Sequence, residues 1–530
     1  MTLTAPEFSA DQAQAFGRIE AMVAAAGLSL GDGVPKTRSA PDQTPRPVPG
    51  PDPVLAVLGR AGSGKTMLLA ALTRALLASG VEIVKPDYEG RRRKDRRSVA
   101  VLAPTNKAAS VLRLRGVPAT TIHRILYTPL YDPEFERIAD WLAGTGPRPS
   151  EGVLAAEALD RAAAFYASFP SIPGALAAAG ARGSDFIRGW KRREDPLDLG
   201  LVDEASMLDA RQFDDLRDIF PTLVLFGDPA QLAPVGQSGE MVFDRLPDTA
   251  RVTLGRIHRQ DAGSPILDLA HLLADPDVDF DAFEAAVADA ARRDDRVVLA
   301  ERVDADMMAR SPVLVWRNAT RIRLIHAFRA AHDAPPDTLL SGEPLVCDGL
   351  ELPLKHRRRR IELEARGLIK GTQVVYLGPG RRPGFCRLHM IGAEQPQISV
   401  ASIVKIEQAG EEPPRVLAAA SMGAAFLHGA AVTIHKAQGS QWPDVQVFAP
   451  DLLAAARSGR VEAGLPLWKR LAYVAITRAE ERLHWVTRYR LARPTRPLGT
   501  DDLEVPPAAL TLEAETEGDA APLSSGASAS

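Results

Sequence analysis

The octapeptide Gly59-Arg60-Ala61-Gly62-Ser63-Gly64-Lys65-Thr66 constrains this chain more than any other segment. It fits the pattern G-x-x-x-x-G-K-[ST], follows an apolar run at 54–58 and precedes a helix-forming stretch at 67–77. A strand–loop–helix context is what that pattern requires. Glycines let successive backbone N–H groups wrap a phosphate, and the helix N-terminus adds the positive end of its dipole. Lys65 would neutralise β/γ charge and the Thr66 hydroxyl would ligate Mg2+, so ATP and Mg2+ are the expected cofactors. A chance glycine-rich turn is the competing reading, and the flanks argue against it.

Around this loop, short apolar runs alternate with helical stretches. Runs at 54–58, 99–103, Leu199–Val202 and 222–226 form one set, and runs at 313–316, 445–449 and 483–486 a second. Continuous apolar runs separated by helices predict parallel sheets covered on both faces. Two sets predict two α/β domains in tandem, at 54–258 and 259–492. Residues 127–198 read as a mainly helical insert in the first, with no hairpin signature. Residues 345–416, richer in β-formers, read as a small β insert in the second. The N-terminal 1–30 holds a helix candidate at 11–25, followed by a Pro-rich linker at 31–53. From 493 to 530 the Pro-, Ala-, Ser- and acid-rich composition buries too little apolar surface to offset ordering entropy, and predicts a disordered tail.

The formal net charge of −3 imposes no global field that would select nucleic acid. Basic clusters at 91–97, 191–193 and 356–360 could bind it locally or be solvated loops. Two cysteines, Cys347 and Cys386, exclude a disulfide framework and a four-cysteine metal site. No apolar run reaches the roughly 20 residues that span a bilayer, and the first ten residues lack a secretory pattern. The expectation is a cytoplasmic protein without a membrane partner.

Two further segments belong with the phosphate loop. Leu199–Val202 runs into Asp203-Glu204. A carboxylate at a strand's C-terminal end suits the Mg2+ shell, which fits Asp203, and Glu204 is placed to polarise a water for attack on the γ-phosphate. A helix N-cap pair is the alternative. The run at 222–226 leads to Gly227-Asp228-Pro229-Ala230-Gln231-Leu232, which sets the neutral amide of Gln231 where it can sense the γ-phosphate.

Taken together, these residues resemble the motifs of superfamily 1 helicases, closest to the RecD-like and Dda-like branch with a UvrD-type C-terminal domain. Residues 9–12 resemble the Q motif, 101–109 motif Ia and 120–124 motif Ib. Asp203-Glu204 resembles motif II, 227–232 motif III, 257–260 motif IV, 432–440 motif V and 473–479 motif VI. Each is weak alone, and their family order along the chain is specific. The resemblance implies two RecA-like P-loop domains, the β insert being SH3-like. It implies that Gln12 reads adenine and that Gln438 and Gly439 join the ATP site. Pro104, Thr105, Thr121, His123, Thr433 and His435 would face DNA, with His435 and Gln438 coupling that face to the ATP site. It also implies 5′→3′ translocation on single-stranded DNA, or on DNA with a 5′ single-stranded tail.

The second domain has no phosphate loop and carries Arg259 and Arg478 instead, two cations that can reach a γ-phosphate when the domains close. Structural salt bridges are the alternative role for both. Departures from the family pattern are the 47 positions between Gln12 and Gly59, Gln441 where relatives carry Glu, and His258 where they carry an aromatic. The leading expectation is an ATP-dependent DNA helicase. A single-strand translocase that displaces protein, an RNA-directed helicase and a non-catalytic DNA-binding subunit are the alternatives. The tail offers a place for a protein partner.

Overall fold

Val54–Gly59 is buried along its whole length, and its residues alternate between two apolar layers. Leu55 and Val57 join the core under helices Ala10–Ala25, Lys65–Ala78 and Asn106–Leu114. Val54, Ala56 and Leu58 join the core under Ile122–Leu126 and Ala210–Ile219. A strand covered on both faces is the parallel-sheet case, and the pairings are parallel throughout. The order is Glu82–Ile83, Ser98–Ala103, Leu199–Val202, Thr222–Gly227, Val54–Gly59, Arg251–Leu254, with Ala119–Thr121 also on Ser98–Ala103.

A second parallel sheet follows, in the order Val297–Ala300, Ala479–Val486, Trp442–Phe448, Val313–Val315, Ala431–Thr433. The two-unit α/β architecture expected from the runs is the observed one. This computed structural model describes residues 8–28, 30, 53–84, 97–150, 154–168, 170, 172–181, 187–193, 196–234, 240–255, 263–351, 363–364, 366–393, 395–410, 412–420, 423–462 and 464–503. Outside them lie Arg259 with the rest of 257–260, the basic residues 91–96 and 356–360, most of the Pro-rich 31–53, and 504–530. Among the described residues no helix is long and apolar enough to cross a membrane.

Two expectations need correction, and the segment 127–198, read as mainly helical, carries strands besides its helices. Helices Glu134–Leu142, Ala156–Ser168 and Ile172–Ala178 share a small core, but strands Tyr127–Tyr131 and Ile187–Arg192 pair antiparallel at the base of the insert. The partners lie 56 to 65 positions apart in sequence. A search for a short-turn hairpin passes over such a ribbon.

The β insert does not stop at 416. Pro344–Glu351, Gln373–Pro379, Phe385–Met390, Gln397–Ile406 and Gly423–His428 close a ring of pairings, and Arg415–Ala419 adds to its rim. The closing strand is the small-residue run at 423–425, which carries little β signal of its own. Nor is the chain lost from 493 onward. Arg310 holds Asp502 at 2.6 Å, and a Cβ on Gly342 would strike the backbone of Gly499.

The barrel is stitched into the second unit by a buried charge cluster. Glu343, fully buried, accepts from Arg329 Nη1 at 2.6 Å, from His428 Nε2 at 3.0 Å and from the Leu340 N–H at 2.8 Å. Burial, the leading cause, lowers the His428 pKa despite the carboxylate beside it, so the ring stays neutral near pH 7 and donates as a tautomer. Removing one partner of such a cluster strands the other charge in the interior. Glu343→Ala should therefore cost about 3–5 kcal/mol in a denaturant titration of the whole chain. A loss under 1 kcal/mol would show that water reaches Arg329.

Candidate nucleotide site and its contacts across the two units

Parallel strands deliver their loops to one edge, and that edge collects the site residues. Val54–Gly59 ends in the phosphate loop, Leu199–Val202 in Asp203-Glu204, and Thr222–Gly227 in the loop carrying Asp228 and Gln231. Ser98–Ala103 ends in Pro104 and Thr105, and Ala119–Thr121 in His123.

The loop conformation depends on glycine at two points. Gly59 has no room for a Cβ, which would lie 2.3 Å from Ser63 Oγ. Gly64 caps helix Lys65–Ala78 in the left-handed region at φ 83, where a Cβ would also lie 2.3 Å from Gln12 Nε2. Gln12 thus reaches the loop across the intervening 31–52. It is fully buried, donates to Ser63 O at 3.0 Å and accepts from the Ser9 N–H at 3.1 Å. Lys65 Nζ folds back on the carbonyls of Gly59 and Arg60, while Thr66 opens the helix half-buried.

Asp203 is buried at the loop's far side, its N–H tied to Leu102 O at 2.8 Å. Burial first, and then the Glu204 charge, push its carboxyl up to about 7, against the pull of Lys65. Glu204 takes φ 52, ψ 40, left-handed for a non-glycine residue, a strain of about 1–3 kcal/mol. Its Oε2 is buried without a hydrogen-bond partner in the protein. Gln231 is buried and held by Ser206 Oγ at 3.1 Å.

A hydroxyl and a destabilised carboxylate suit a hard cation completed by phosphate and water oxygens. Among the described residues no group of three or more His, Cys, Asp or Glu forms a metal cluster, so the protein offers only part of such a shell.

The second unit enters through one helix. Leu467–Ile476 is buried along its length, and Arg470 and Tyr473 share a face at i, i+3. Arg470 Nη1 donates to Pro229 O at 3.0 Å and to Gln231 O. The Tyr473 hydroxyl accepts from the Ala61 N–H at 2.9 Å and donates to Asp228 Oδ2 at 2.7 Å. Sequence reasoning singled out Arg478 and missed these two, although Tyr473 opens the same motif.

Arg478 is buried, and its guanidinium donates to Val474 O, Ser440 O and Thr477 Oγ1. These contacts hold it against the 433–440 turn. Gln438 in that turn is buried with Nε2 lacking a partner in the protein. A Cβ on Gly439 would lie 3.3 Å from Ala108, which puts the turn against helix Asn106–Leu114.

The residues expected to face DNA lie at or just past the ends of three strands, Ser98–Ala103, Ala119–Thr121 and Ala431–Thr433. Thr105 caps helix Asn106–Leu114 by accepting from the Ala108 N–H at 3.1 Å, with Pro104 beside it. Thr121 is buried, His123 is exposed, and Thr433 and His435 are half-buried. Burial lowers the pKa values of both His123 and His435. The His123 ring stands edge-on to Trp190 at 5.2 Å, and Trp190 lies on the Ile187–Arg192 strand, 44% exposed. This aromatic was also missed; its signal was a lone Trp among Arg188, Lys191, Arg192 and Arg193.

The barrel touches both units here, through Arg124 with Glu364 and through Trp442 Nε1 with Gln373 Oε1 at 2.6 Å. Helix Ile172–Ala178 packs on the barrel strand Arg415–Ala419, so the two inserts meet.

The Asp203 shift has a thermodynamic consequence. A folded-state value of about 7 against about 3.9 unfolded means that ionising Asp203 costs stability as pH rises from 4 through 7. Asp203→Asn should therefore raise the melting temperature of the nucleotide-free protein at pH 8, with the gain fading towards pH 4. A pH-independent gain, or a loss at pH 8, would contradict this account.

Two family models match the chain, an AAA domain over 48–301 and a UvrD-like helicase C-terminal domain over 428–486. The conjugal transfer protein TraA of Rhizobium radiobacter is 28% identical over 316 residues, 56% of this chain and 26% of TraA, so the chain spans about a quarter of that relative's length. Among solved structures, the Pif1 helicase from Candida albicans is 16% identical, covering 91% of this chain and 94% of its own, with a TM-score of 0.43. Bacteroides Pif1 bound to single-stranded DNA is 13% identical, with coverages of 90% and 92% and a TM-score of 0.42. The phosphate-loop unit falls under the first family model and the helix of Tyr473 and Arg478 under the second, so the chain carries an AAA domain followed by a UvrD-like helicase C-terminal domain.

Proposed function

We propose that this protein is an ATP-dependent DNA helicase that moves 5′→3′ along single-stranded DNA and couples hydrolysis to duplex opening. The observation that carries the reading is the meeting of the phosphate loop, Asp203-Glu204 and the Gln231 loop with a helix of the second unit. A nucleotide held at such a junction can be felt by both units, which is what turns hydrolysis into relative motion.

Residues Gly59 to Thr66 would cradle the phosphates, with Lys65 swinging from the loop carbonyls to the β/γ oxygens. Thr66 and Asp203 would hold Mg2+, which supplies charge neutralisation at the transferring phosphoryl group. Glu204, with an unpartnered buried oxygen, is the base that takes the proton of the attacking water. Gln231 would orient that water or sense the γ-phosphate, and Arg259 and Arg478 would neutralise developing charge on closure. Gln12 would meet adenine only after giving up Ser63 O or Ser9 N–H. Gln438 and Gly439 would carry the nucleotide state from the cleft to helix Asn106–Leu114.

On the DNA side, Pro104, Thr105, Thr121, His123, Thr433 and His435 would contact the sugar–phosphate backbone without reading sequence. Trp190 adds a flat face beside basic residues, the combination that stacks bases of a single strand. Its place on the ribbon at the base of the helical insert supports strand separation over translocation alone.

ATP turnover with and without single-stranded DNA, followed by unwinding of duplexes with a 5′ or a 3′ tail, tests the reading. We expect turnover to rise with DNA and unwinding to require the 5′ tail. Unwinding only from a 3′ tail removes the polarity, stimulation by RNA alone redirects the substrate, and translocation without unwinding leaves a protein-displacing motor. Lys65→Ala and Glu204→Gln should each lower turnover at least 100-fold, as one removed catalytic group typically does, with nucleotide binding kept in Glu204→Gln. Trp190→Ala should weaken single-strand affinity about 5- to 150-fold, the measured range for a lost stacking contact. Unchanged affinity would return Trp190 to an ordinary surface residue.

A further inference from the structure

The Tyr473 hydroxyl occupies a place that nothing in the assigned chemistry uses. It is buried, comes from the second unit, and bridges two loops of the first: the phosphate loop at Ala61 and the loop after Thr222–Gly227 at Asp228. Asp228 is fully buried, and its other oxygen accepts from the Ala230 N–H at 3.0 Å. Burial and the neighbouring carboxylate keep the phenol well above its usual range, so it remains a donor to Asp228 throughout the working pH range.

On the same face, Arg470 grips the carbonyls of Pro229 and Gln231. Two residues three apart on one helix therefore hold the Gln231 loop, and one of them also occupies a backbone N–H of the phosphate loop. An N–H of that loop is what a phosphate oxygen takes. Tyr473 and nucleotide thus compete for one donor, and the loser's position is transmitted to Asp228 and to the whole helix.

Resting on the ATP-driven reading above, we propose that Tyr473 is the positioning residue that links nucleotide occupancy to the spacing of the two units. Its hydroxyl holds Ala61 and Asp228 together until phosphate claims the Ala61 N–H, and its release frees helix Leu467–Ile476 to shift. Removing the hydroxyl should then have opposite effects on binding and on coupling. The Ala61 N–H no longer has to leave a partner, so nucleotide binds more tightly. The second unit no longer feels the exchange, so DNA stops accelerating turnover.

Tyr473→Phe tests this by two readouts on the full chain. Titration of a fluorescent ATP analogue should give an affinity two- to tenfold higher than the parent's, the range of one net hydrogen bond, with a matching fall in KM. The stimulation of kcat by single-stranded DNA should fall about tenfold. Unchanged or weaker analogue binding overturns the proposal, as does retained DNA stimulation. A purely structural tyrosine would instead lower the melting temperature and weaken binding and turnover together.

If Tyr473→Phe does not fold, Asp228→Asn keeps an acceptor for the phenol while removing its charge. It should move both readouts in the same directions by less, and shifts the other way overturn the proposal. A parent protein without DNA-stimulated turnover sinks the helicase reading and leaves the affinity comparison to decide Tyr473 alone.

Discussion

The hydrogen-bonded alignment of Val54–Gly59 between Thr222–Gly227 and Arg251–Leu254 is the constraint from which the rest of the site follows. Val54–Gly59 and Thr222–Gly227 are buried on both faces, so no polar side chain can be carried within them without a partner. Chemistry is forced to the ends. Because the strands are parallel, the ends carrying the Gly59–Thr66 loop, the Asp203-Glu204 pair and the Gln231 loop must lie side by side. Gly59, Asp203 and Asp228 stand where three neighbouring parallel strands end, and they meet for that reason.

Most of this was legible in the sequence, because it rests on local pattern. The runs at 54–58, 99–103 and 222–226 fall on observed strands to within a residue, and the loop motifs sit where those strands end. What escaped is what depends on distant pairing. Tyr127–Tyr131 and Ile187–Arg192 become a ribbon only because the intervening helices form their own core. Gly423–His428 becomes a strand only because Pro344–Glu351 and Gln397–Ile406 flank it. Tyr473 and Arg470 are ordinary helix residues until the loops they touch are known. Arg478 shows the reverse case: an arginine whose motif points to phosphate is held on carbonyls of its own unit.

The polar groups in the cleft are poised rather than satisfied. Asp203 carries a charge that its surroundings resist, Glu204 is strained in backbone conformation, and Gln438 and Glu204 each bury an unpartnered atom. Such arrangements lower stability and are kept where a ligand repairs them. The outer scaffold shows the opposite economy. Glu343 and Asp451 are buried carboxylates with a full set of donors, and they anchor the barrel and the start of helix Asn318–Ala331.

The Glu343 cluster also bears on how the barrel is joined to the unit beneath it. The barrel leaves the second unit at Pro344 and returns at Gly429, and those two residues are joined by one backbone hydrogen bond of 2.8 Å. Just past that bond, Ala431–Thr433 takes its place in the parallel sheet beside Val313–Val315. The barrel thus departs and returns through one narrow stem, and a load on it reaches the sheet through that stem. Glu343 and His428, at the two ends of the splice, tie the stem through one buried contact.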